Sequence, residues 1–434
     1  MKKSLRTWLF LPVLLLTMLL VVAACESDDD DADDAGTDSD DVEQVEDTDD
    51  EATAEEEDSA ATEDDDEAAE DDDEEMTDED SEASEDDEEA ADDSDDAEGE
   101  EEVSSDFSMD DIPDVNEALG GPISFGDFNW DSAMYHNRVA QYIIEEGYGH
   151  ETDEVPGSTL PILQGLEDGD VHATMEMWVQ NLPEWYHEEV EAGTYVDLGN
   201  NYDGAIQGWF VPTYVIEGDE ERGIEPMAPD LESVDDLAQY WEVFQDVEDP
   251  EKGRIYNGIG GWEATEHNEV RLESYGLAEY YNSFLPGSEA ALFTSLVREY
   301  EQGEPWIGYL WTPSWPFAQY DMTFIEEPEY NPDCWQEVID ATAEGGTAEN
   351  ACGFPEVDVN VVVSPEFDEA APHLVEFLTN YESNMELTNA ALLHISETDA
   401  TPEAAAEWWL AEYQDVWTGW VPEEVAQNVL DSLE

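Results

Sequence analysis

From residue 122 onward, apolar positions follow the two periods that separate strands from helices. Ile123-Ser124-Phe125 alternates and predicts a short strand, and Asn129-Trp130-Asp131-Ser132 predicts a strand end running into a helix cap. Ala133 to Glu146 carries apolar residues at helical spacing, with Gly147 as the stop. After Pro156-Gly157-Ser158-Thr159 the pattern predicts a second helix, Leu160 to Leu166, then a Gly169-Asp170 turn and a strand from Val171 to Met177 that leads directly into Trp178. Strand, helix and strand in succession imply an α/β fold built on a parallel sheet. Residues 122–434, about 310 in all, suffice for two such lobes. In an open α/β sheet the ligand crevice lies beyond the carboxyl ends of the strands, which is where Trp130 and Trp178 fall.

The first 110 residues follow neither period. Lys2, Lys3 and Arg6 precede an apolar run from Leu9 to Val22, and Val22-Ala23-Ala24-Cys25 closes it with small residues and a cysteine. That order resembles a lipoprotein signal peptide over residues 1–25, with Cys25 diacylated as the first mature residue. The expected product is held by lipid at the outer face of the cytoplasmic membrane, because no later stretch is long and apolar enough to span a bilayer. Residues 26–110 contain 50 Asp and Glu, no Lys or Arg, and almost no large apolar side chain before Phe107. Such a segment has nothing to bury and is expected to be a disordered acidic linker. Coil scaling gives it a reach of roughly 50 Å.

Charge defines the expected setting. The chain has 120 acidic and 9 basic residues, a formal charge of −111, and residues 111–434 still hold 70 acids against 6 bases, or −64. Self-repulsion on that scale destabilises a fold in dilute buffer and is screened at molar salt, where the Debye length is about 3 Å. A saline habitat is therefore expected. The same charge argues against nucleic acid and anionic membrane surfaces as partners.

With Cys25 assigned to lipid, Cys334 and Cys352 remain, and an oxidising compartment favours joining them as a disulfide. On the chain-entropy account, closing that loop stabilises by about 3 kcal/mol. Neither a CxxC spacing nor a His cluster accompanies them, so no metal is expected. Fourteen of the fifteen tryptophans lie beyond the leader, three of them in loop-like contexts: Met177-Trp178-Val179, Gly260-Gly261-Trp262-Glu263 and Leu310-Trp311-Thr312-Pro313. Ring faces arranged as a cage hold a quaternary ammonium through the ring quadrupole, without needing a hydrogen bond. These contexts point to a binder of betaine-like solutes, with Trp130 and Trp315 as further candidate walls. Trp209, Trp241, Trp335, Trp408, Trp409, Trp417 and Trp420 are expected to pack in cores or between lobes.

Four segments resemble the substrate-binding proteins of glycine betaine/proline ABC transporters: Pro156-Gly-Ser-Thr-Leu-Pro-Ile-Leu-Gln-Gly-Leu-Glu-Asp-Gly-Asp-Val171, Gln207-Gly-Trp-Phe-Val-Pro-Thr-Tyr214, Gly260-Gly-Trp262 and Tyr309-Leu-Trp-Thr-Pro313. The resemblance runs from about residue 122 to 425. It implies a type II periplasmic-binding-protein-like fold of two lobes that close on the ligand by hinge motion. One lobe would span about 122–213 and 356–434, with Val357 to Val363 as the returning strand; the other would span about 214–355. The family boxes a trimethylammonium group with three tryptophans, whose motif positions match Trp178, Trp262 and Trp311. The backbone N–H groups of Glu263 and Ala264 would hold an anionic end, since that role depends on geometry rather than side chain. A histidine near the first or third cage tryptophan serves some relatives, and His187 is the counterpart here. The cysteine common shortly after the second tryptophan is absent, replaced by Glu263-Ala264-Thr265. The implied partners are ABC permease and ATPase subunits, with no cofactor.

Catalysis has no support in the motifs: there is no G-x-S-x-G elbow, H-E-x-x-H, P-loop or G-x-G-x-x-G fingerprint. The leading expectation is a lipid-anchored solute-binding protein for glycine betaine or a related osmolyte. Choline is the rival ligand and would favour an acidic neighbour such as Glu176 or Glu263 beside the cage. An acidic surface or adhesion lipoprotein, in which the tryptophans only pack, is the rival of another class.

Overall fold

The structure is a computed structural model that describes residues 108–109 and 112–434. The expected signal peptide with Cys25, and all of the expected linker apart from residues 108 and 109, lie outside the described residues. The first lobe is built from α1 (Val115–Leu119), β1 (Ile123–Phe128), α2 (Asp131–Tyr142), β2 (Thr152–Gly157), α3 (Thr159–Asp168), β3 (Ala173–Trp178), α4 (Glu184–Ala192) and β4 (Val196–Ala205). Into the second go β5 (Gln207–Pro212), α5 (Thr213–Glu217), β6 (Gly253–Tyr256), α6 (Glu263–Ser274), β7 (Tyr281–Phe284), α7 (Glu289–Gln302), β8 (Gly308–Trp311), α8 (Pro316–Gln319), β9 (Met322–Phe324) and α9 (Pro332–Glu344). β10 (Val357–Val363) returns to the first lobe, followed by α10 (Pro365–Ala370), α11 (Pro372–Asn380), α12 (Met385–Thr398), α13 (Pro402–Glu412), α14 (Gln414–Trp417) and α15 (Glu423–Ser432).

Each lobe is a five-stranded mixed sheet, ordered β2-β1-β3-β10-β4 in the first and β7-β6-β8-β5-β9 in the second. The parallel half predicted from strand-helix-strand succession is present, with β1 parallel to both β2 and β3. The second sheet repeats the plan, β6 pairing in parallel with β7 and β8. In each case an antiparallel strand that belongs to a chain crossing is added on the other side: β10 against β3, and β5 against β8. Several helix starts are written plainly in the sequence. Asn331-Pro332, Ser364-Pro365 and Thr401-Pro402 each place a capping side chain before a proline, and each cap accepts the expected backbone N–H, from Cys334, Phe367 and Ala404.

β2 (Thr152–Gly157) is a strand the sequence pattern did not predict, and two boundaries differ from the expectation in what they do. The first long helix does not stop at Gly147; a π-helical turn, Ile143–Tyr148, prolongs it to Gly149, whose φ of 79° ends it. Gly147 serves packing instead, because a Cβ there would sit 2.7 Å from Val425 of α15. The first lobe crossing falls at Ile206 rather than between residues 213 and 214, since β5 hydrogen-bonds to β8 and β9 of the second sheet. Val357 to Val363 is β10, paired with β3 and β4.

Burial is divided to match. One apolar cluster fills the outer layers of the first lobe around Phe125, Val139, Phe367, Trp409 and Trp417. A second runs from Phe128, Leu163 and Met177 through the space between the sheets to Trp209, Ile255 and Leu292. Trp209, Trp335, Trp409, Trp417 and Trp420 are buried, as packing residues should be, while Trp241 and Trp408 are partly buried against the clusters. Cys334 of α9 and Cys352 are bridged, with Cα atoms 6.1 Å apart.

Beside that bridge the second lobe buries an ion pair. Arg271 of α6 is 0 % exposed and meets Glu327, 1 % exposed, while also donating to the Cys352 carbonyl at 3.1 Å and to Asn268 at 2.9 Å. Its guanidinium lies 4.2 Å from the Phe354 ring centroid. Removing one partner of such a pair strands the other charge out of water, at about 3–5 kcal/mol. Glu327→Gln is accordingly expected to lower the unfolding free energy by about that amount in denaturant titrations at fixed salt; a loss below about 1 kcal/mol would contradict the assigned role.

Candidate ligand cage between the lobes

The strand ends determine which side chains reach the cleft. Residues two apart on an extended segment share a face. Phe128 and Trp130, Glu176 and Trp178, and Tyr309 and Trp311 are three such pairs, and all six side chains line one cavity of about 50 Å³. Trp130 continues the extended backbone of β1 as the N-cap of α2, with φ −135° and ψ 150°. Trp262 arrives differently, as the N-cap of α6. Before it, Gly261 has φ +94°, and a Cβ at that position would lie 2.9 Å from Ser158 of the opposite lobe. Left-handed backbone and close approach together require glycine there.

The rings form a continuous corner. Trp262 meets Trp130 edge-on at 5.4 Å between centroids (80°) and Trp311 at 5.1 Å (89°). Behind them, Phe128 stacks on Trp130 at 4.6 Å and Tyr309 on Trp311 at 5.6 Å. Trp130 belongs to the first lobe, Trp262 and Trp311 to the second, so the corner exists only with the lobes together. The Trp262 Nε1–H donates to Asn129 Oδ1 at 2.6 Å, fastening one wall across the cleft. Further out, His267 Nε2 meets the Asn181 carbonyl at 2.9 Å and Trp335 Nε1–H donates to the Gln180 carbonyl at 2.9 Å, both between lobes.

Glu176 is fully buried at the floor of the cage. It accepts from Trp130 Nε1 at 2.5 Å, from Ser132 Oγ at 3.1 Å and from the Tyr202 hydroxyl. Burial raises its pKa above the ordinary carboxylate value, and the hydrogen bonds oppose that rise. Glu263 is half-buried at the cavity edge, its carboxyl also pushed up by burial and then by Glu266. Lys, Arg and His are missing from the lining. The positive feature facing the cavity is the start of α6, whose first N–H groups, those of Glu263 and Ala264, have no partner within the helix.

The eight sequence candidates fall as follows. Trp178, Trp262, Trp311, Trp130, Glu263 and Ala264 line the cavity together. Trp315 does not; it caps α8 and packs against Phe293 at 5.4 Å, in the layer behind Trp311. His187 is also absent from the lining. It is exposed on α4 with its ring against Tyr186, because the helix turns its buried face, Tyr186, toward the lobe core. Phe128, Asn129, Tyr309, Thr159, Asn181 and Leu182 were not singled out from sequence. Period-two alternation on β1 and β8 was the available signal for Phe128 and Tyr309; nothing local pointed to Asn129, whose role depends on the other lobe.

Residues 121–412 match the family model described as the substrate binding domain of ABC-type glycine betaine transport systems. The chain is 25 % identical over 300 residues to the trimethylamine N-oxide-binding protein of Pelagibacter ubique, covering 68 % of this chain and 90 % of that one. Among solved structures it is similar to the glycine betaine/L-proline-binding protein of Borrelia burgdorferi, with a TM-score of 0.56, 21 % identity, and coverage of 71 % of this chain and 99 % of that one. It is likewise similar to an ABC-transporter choline-binding protein in complex with choline, with a TM-score of 0.55, 17 % identity, and coverage of 73 % and 99 %. With two-thirds of its length matched by the family model, the chain belongs to the substrate-binding-domain family of ABC-type glycine betaine transport systems, whose members are solute-binding proteins rather than enzymes.

Proposed function

We propose that this protein captures a small methylated-ammonium zwitterion, glycine betaine first, and delivers it to an ABC permease and its ATPase. The observation that carries the reading is the meeting of Trp130, Trp178, Trp262 and Trp311 from two lobes in one cavity beside the free N–H groups at the start of α6. Each desolvated ring wall contributes about 1–2 kcal/mol toward a quaternary ammonium. The three rings of the corner, Trp130, Trp262 and Trp311, give about 3–6, short of the roughly 8 kcal/mol net that micromolar affinity requires. The remainder has to come from the anionic end, which the α6 N-terminus suits by dipole and by unpaired donors. The Pelagibacter ubique relative makes trimethylamine N-oxide a natural competitor in the same cage.

Glu176 favours a second reading. A carboxylate at the cage floor complements a net cation, and choline carries a positive charge with a hydroxyl that could donate to it. Betaine would place its own carboxylate away from Glu176, toward α6. Delivery in either case fits a chain tethered by a lipid on Cys25 through the acidic segment, outside the cytoplasm and in high salt, where screening lets a domain of this charge persist.

In calorimetry and tryptophan fluorescence at roughly molar salt, glycine betaine is expected to saturate the protein, and Trp262→Ala to weaken it by about five- to thirtyfold, one ring wall's worth. Trp185→Ala, at an exposed ring on α4 away from the cavity, is expected to leave the titration unchanged. Saturation by choline alone would move the assignment to the second reading, and no response to betaine, choline or trimethylamine N-oxide would remove both. Asn129→Ala is expected to cost about 1–3 kcal/mol of binding by leaving the Trp262 N–H unpaired on closure; unchanged affinity would show that this bond does not hold the wall.

A further inference from the structure

The ends of two helices meet across the cleft beside the cage. α2 begins after Trp130, which as N-cap supplies no side-chain hydrogen bond to the helix. The missing cap comes from the opposite lobe: Asp131 N–H, the first of α2, donates to Glu289 Oε2 at 2.7 Å. Glu289 is itself the first residue of α7, is 6 % exposed, and follows the cap Ser288. A carboxylate capping in trans fixes the residue next to a cage wall, and it does so only with the lobes together.

No basic side chain among the described residues pairs with it. The six basic residues beyond the leader are engaged elsewhere among the described residues: Arg138 with Asp127 and Glu403, Arg222 with Asp219, Arg254 with Asp246, Arg271 with Glu327, Arg298 with Glu299, and Lys252 with the Ala278 carbonyl. Facing Glu289 are Asp131 of α2 and, through the cage floor, Glu176 of β3; Arg298 and Glu301 of α7 and Asp399 after α12 line the groove outside Asp131. Burial and then Asp131 push the Glu289 carboxyl well above the ordinary carboxylate range, and burial raises Asp131 as well. Both helix starts attract negative charge, which moderates the repulsion without removing it. Glu289 is buried, and Asp131, partly exposed at the groove, is joined to it through its backbone N–H, so a proton held at this junction relieves the repulsion between the two carboxyls.

We propose that Glu289 is a positioning residue for closure, capping the Trp130 helix from the opposite lobe, and that the Asp131–Glu289 pair takes up a proton as the lobes close. The binding consequence rests on the cage reading above, whereas the conformational one does not. With the lobes apart, both carboxyls face water and ionise at ordinary values; with the lobes together, the pair retains a proton to higher pH. Closure is therefore favoured at low pH and weakens as pH rises from the ordinary carboxylate range to the raised one, by up to tenfold in Kd per pH unit for one linked proton.

Two variants and two readouts test this at fixed, roughly molar salt on the full chain. Wild type is expected to bind glycine betaine with an affinity that falls with pH in that window, and to take up a fraction of a proton, approaching one, in calorimetry with two buffers of different ionisation enthalpy. Glu289→Gln keeps an oxygen to accept the Asp131 N–H and loses the titration, so its pH profile should be flat and its affinity at high pH equal or tighter. Glu289→Ala should bind more weakly at every pH. In parallel, ligand-free small-angle scattering should show wild type more compact at pH 5 than at pH 8, a difference absent in Glu289→Gln. If no solute binds but this compaction behaves as stated, the cage reading falls and the proton-linked closure stands. A Glu289→Gln protein with the wild-type pH dependence in both readouts, or a wild type flat in both, would overturn the proposal.

Discussion

Everything near the cleft depends on tryptophan rings from different lobes completing one another. Trp262 stands edge-on to Trp130 of the facing lobe and to Trp311 of its own, and Asn129 takes its indole N–H across the gap. An aromatic corner of this kind offers a cation polarisable, electron-rich faces, and it offers them in one place only when the lobes meet. The fold supplies the rest: parallel strands that end at the cleft, two chain crossings that tie the sheets, and Gly261, which admits the close approach to Ser158.

Charge works as a second constraint, and it is arranged by scarcity. Six basic side chains serve a domain with 70 acidic ones, and each is spent on an internal pair or backbone carbonyl rather than on the cavity. The cleft accordingly presents carboxyl groups, aromatic faces and helix-start amides. Under the proposed function, that combination would disfavour anionic metabolites by its field and suit a methylated cation whose own negative end, where there is one, is small enough to reach α6. It also leaves Glu289 facing Asp131 and Glu176 without a basic partner among the described residues.

Much of this was legible in the chain. The strand at Val357 to Val363 appears where the pattern put it, as do the first strand and helix after Ile123 and the helix and strand leading into Trp178, although β2 between them was not read. Trp178, Trp262 and Trp311 were readable from their contexts and from family resemblance, and they share a cavity. What pattern could not supply was partnership over long sequence distances. Gly147 reads as a stop until α15, some 280 residues later, is seen to press on it; β5 reads as continuing the first lobe until its hydrogen bonds to β8 and β9 are known. Asn129 and Glu289 are ordinary polar residues in sequence and become cross-cleft groups only in three dimensions. His187 illustrates the opposite error: nearness in sequence to Trp178 placed it as a ligand contact, and helix phase put it in solvent.

The central claim is that one cation is held by rings of both lobes at once. A crystal structure of the protein grown with glycine betaine tests it most directly. The ammonium nitrogen should lie within about 6 Å of the ring centroids of Trp130 from the first lobe and of Trp262 and Trp311 from the second. A bound betaine resting on one lobe alone, or outside this cavity, would contradict the account.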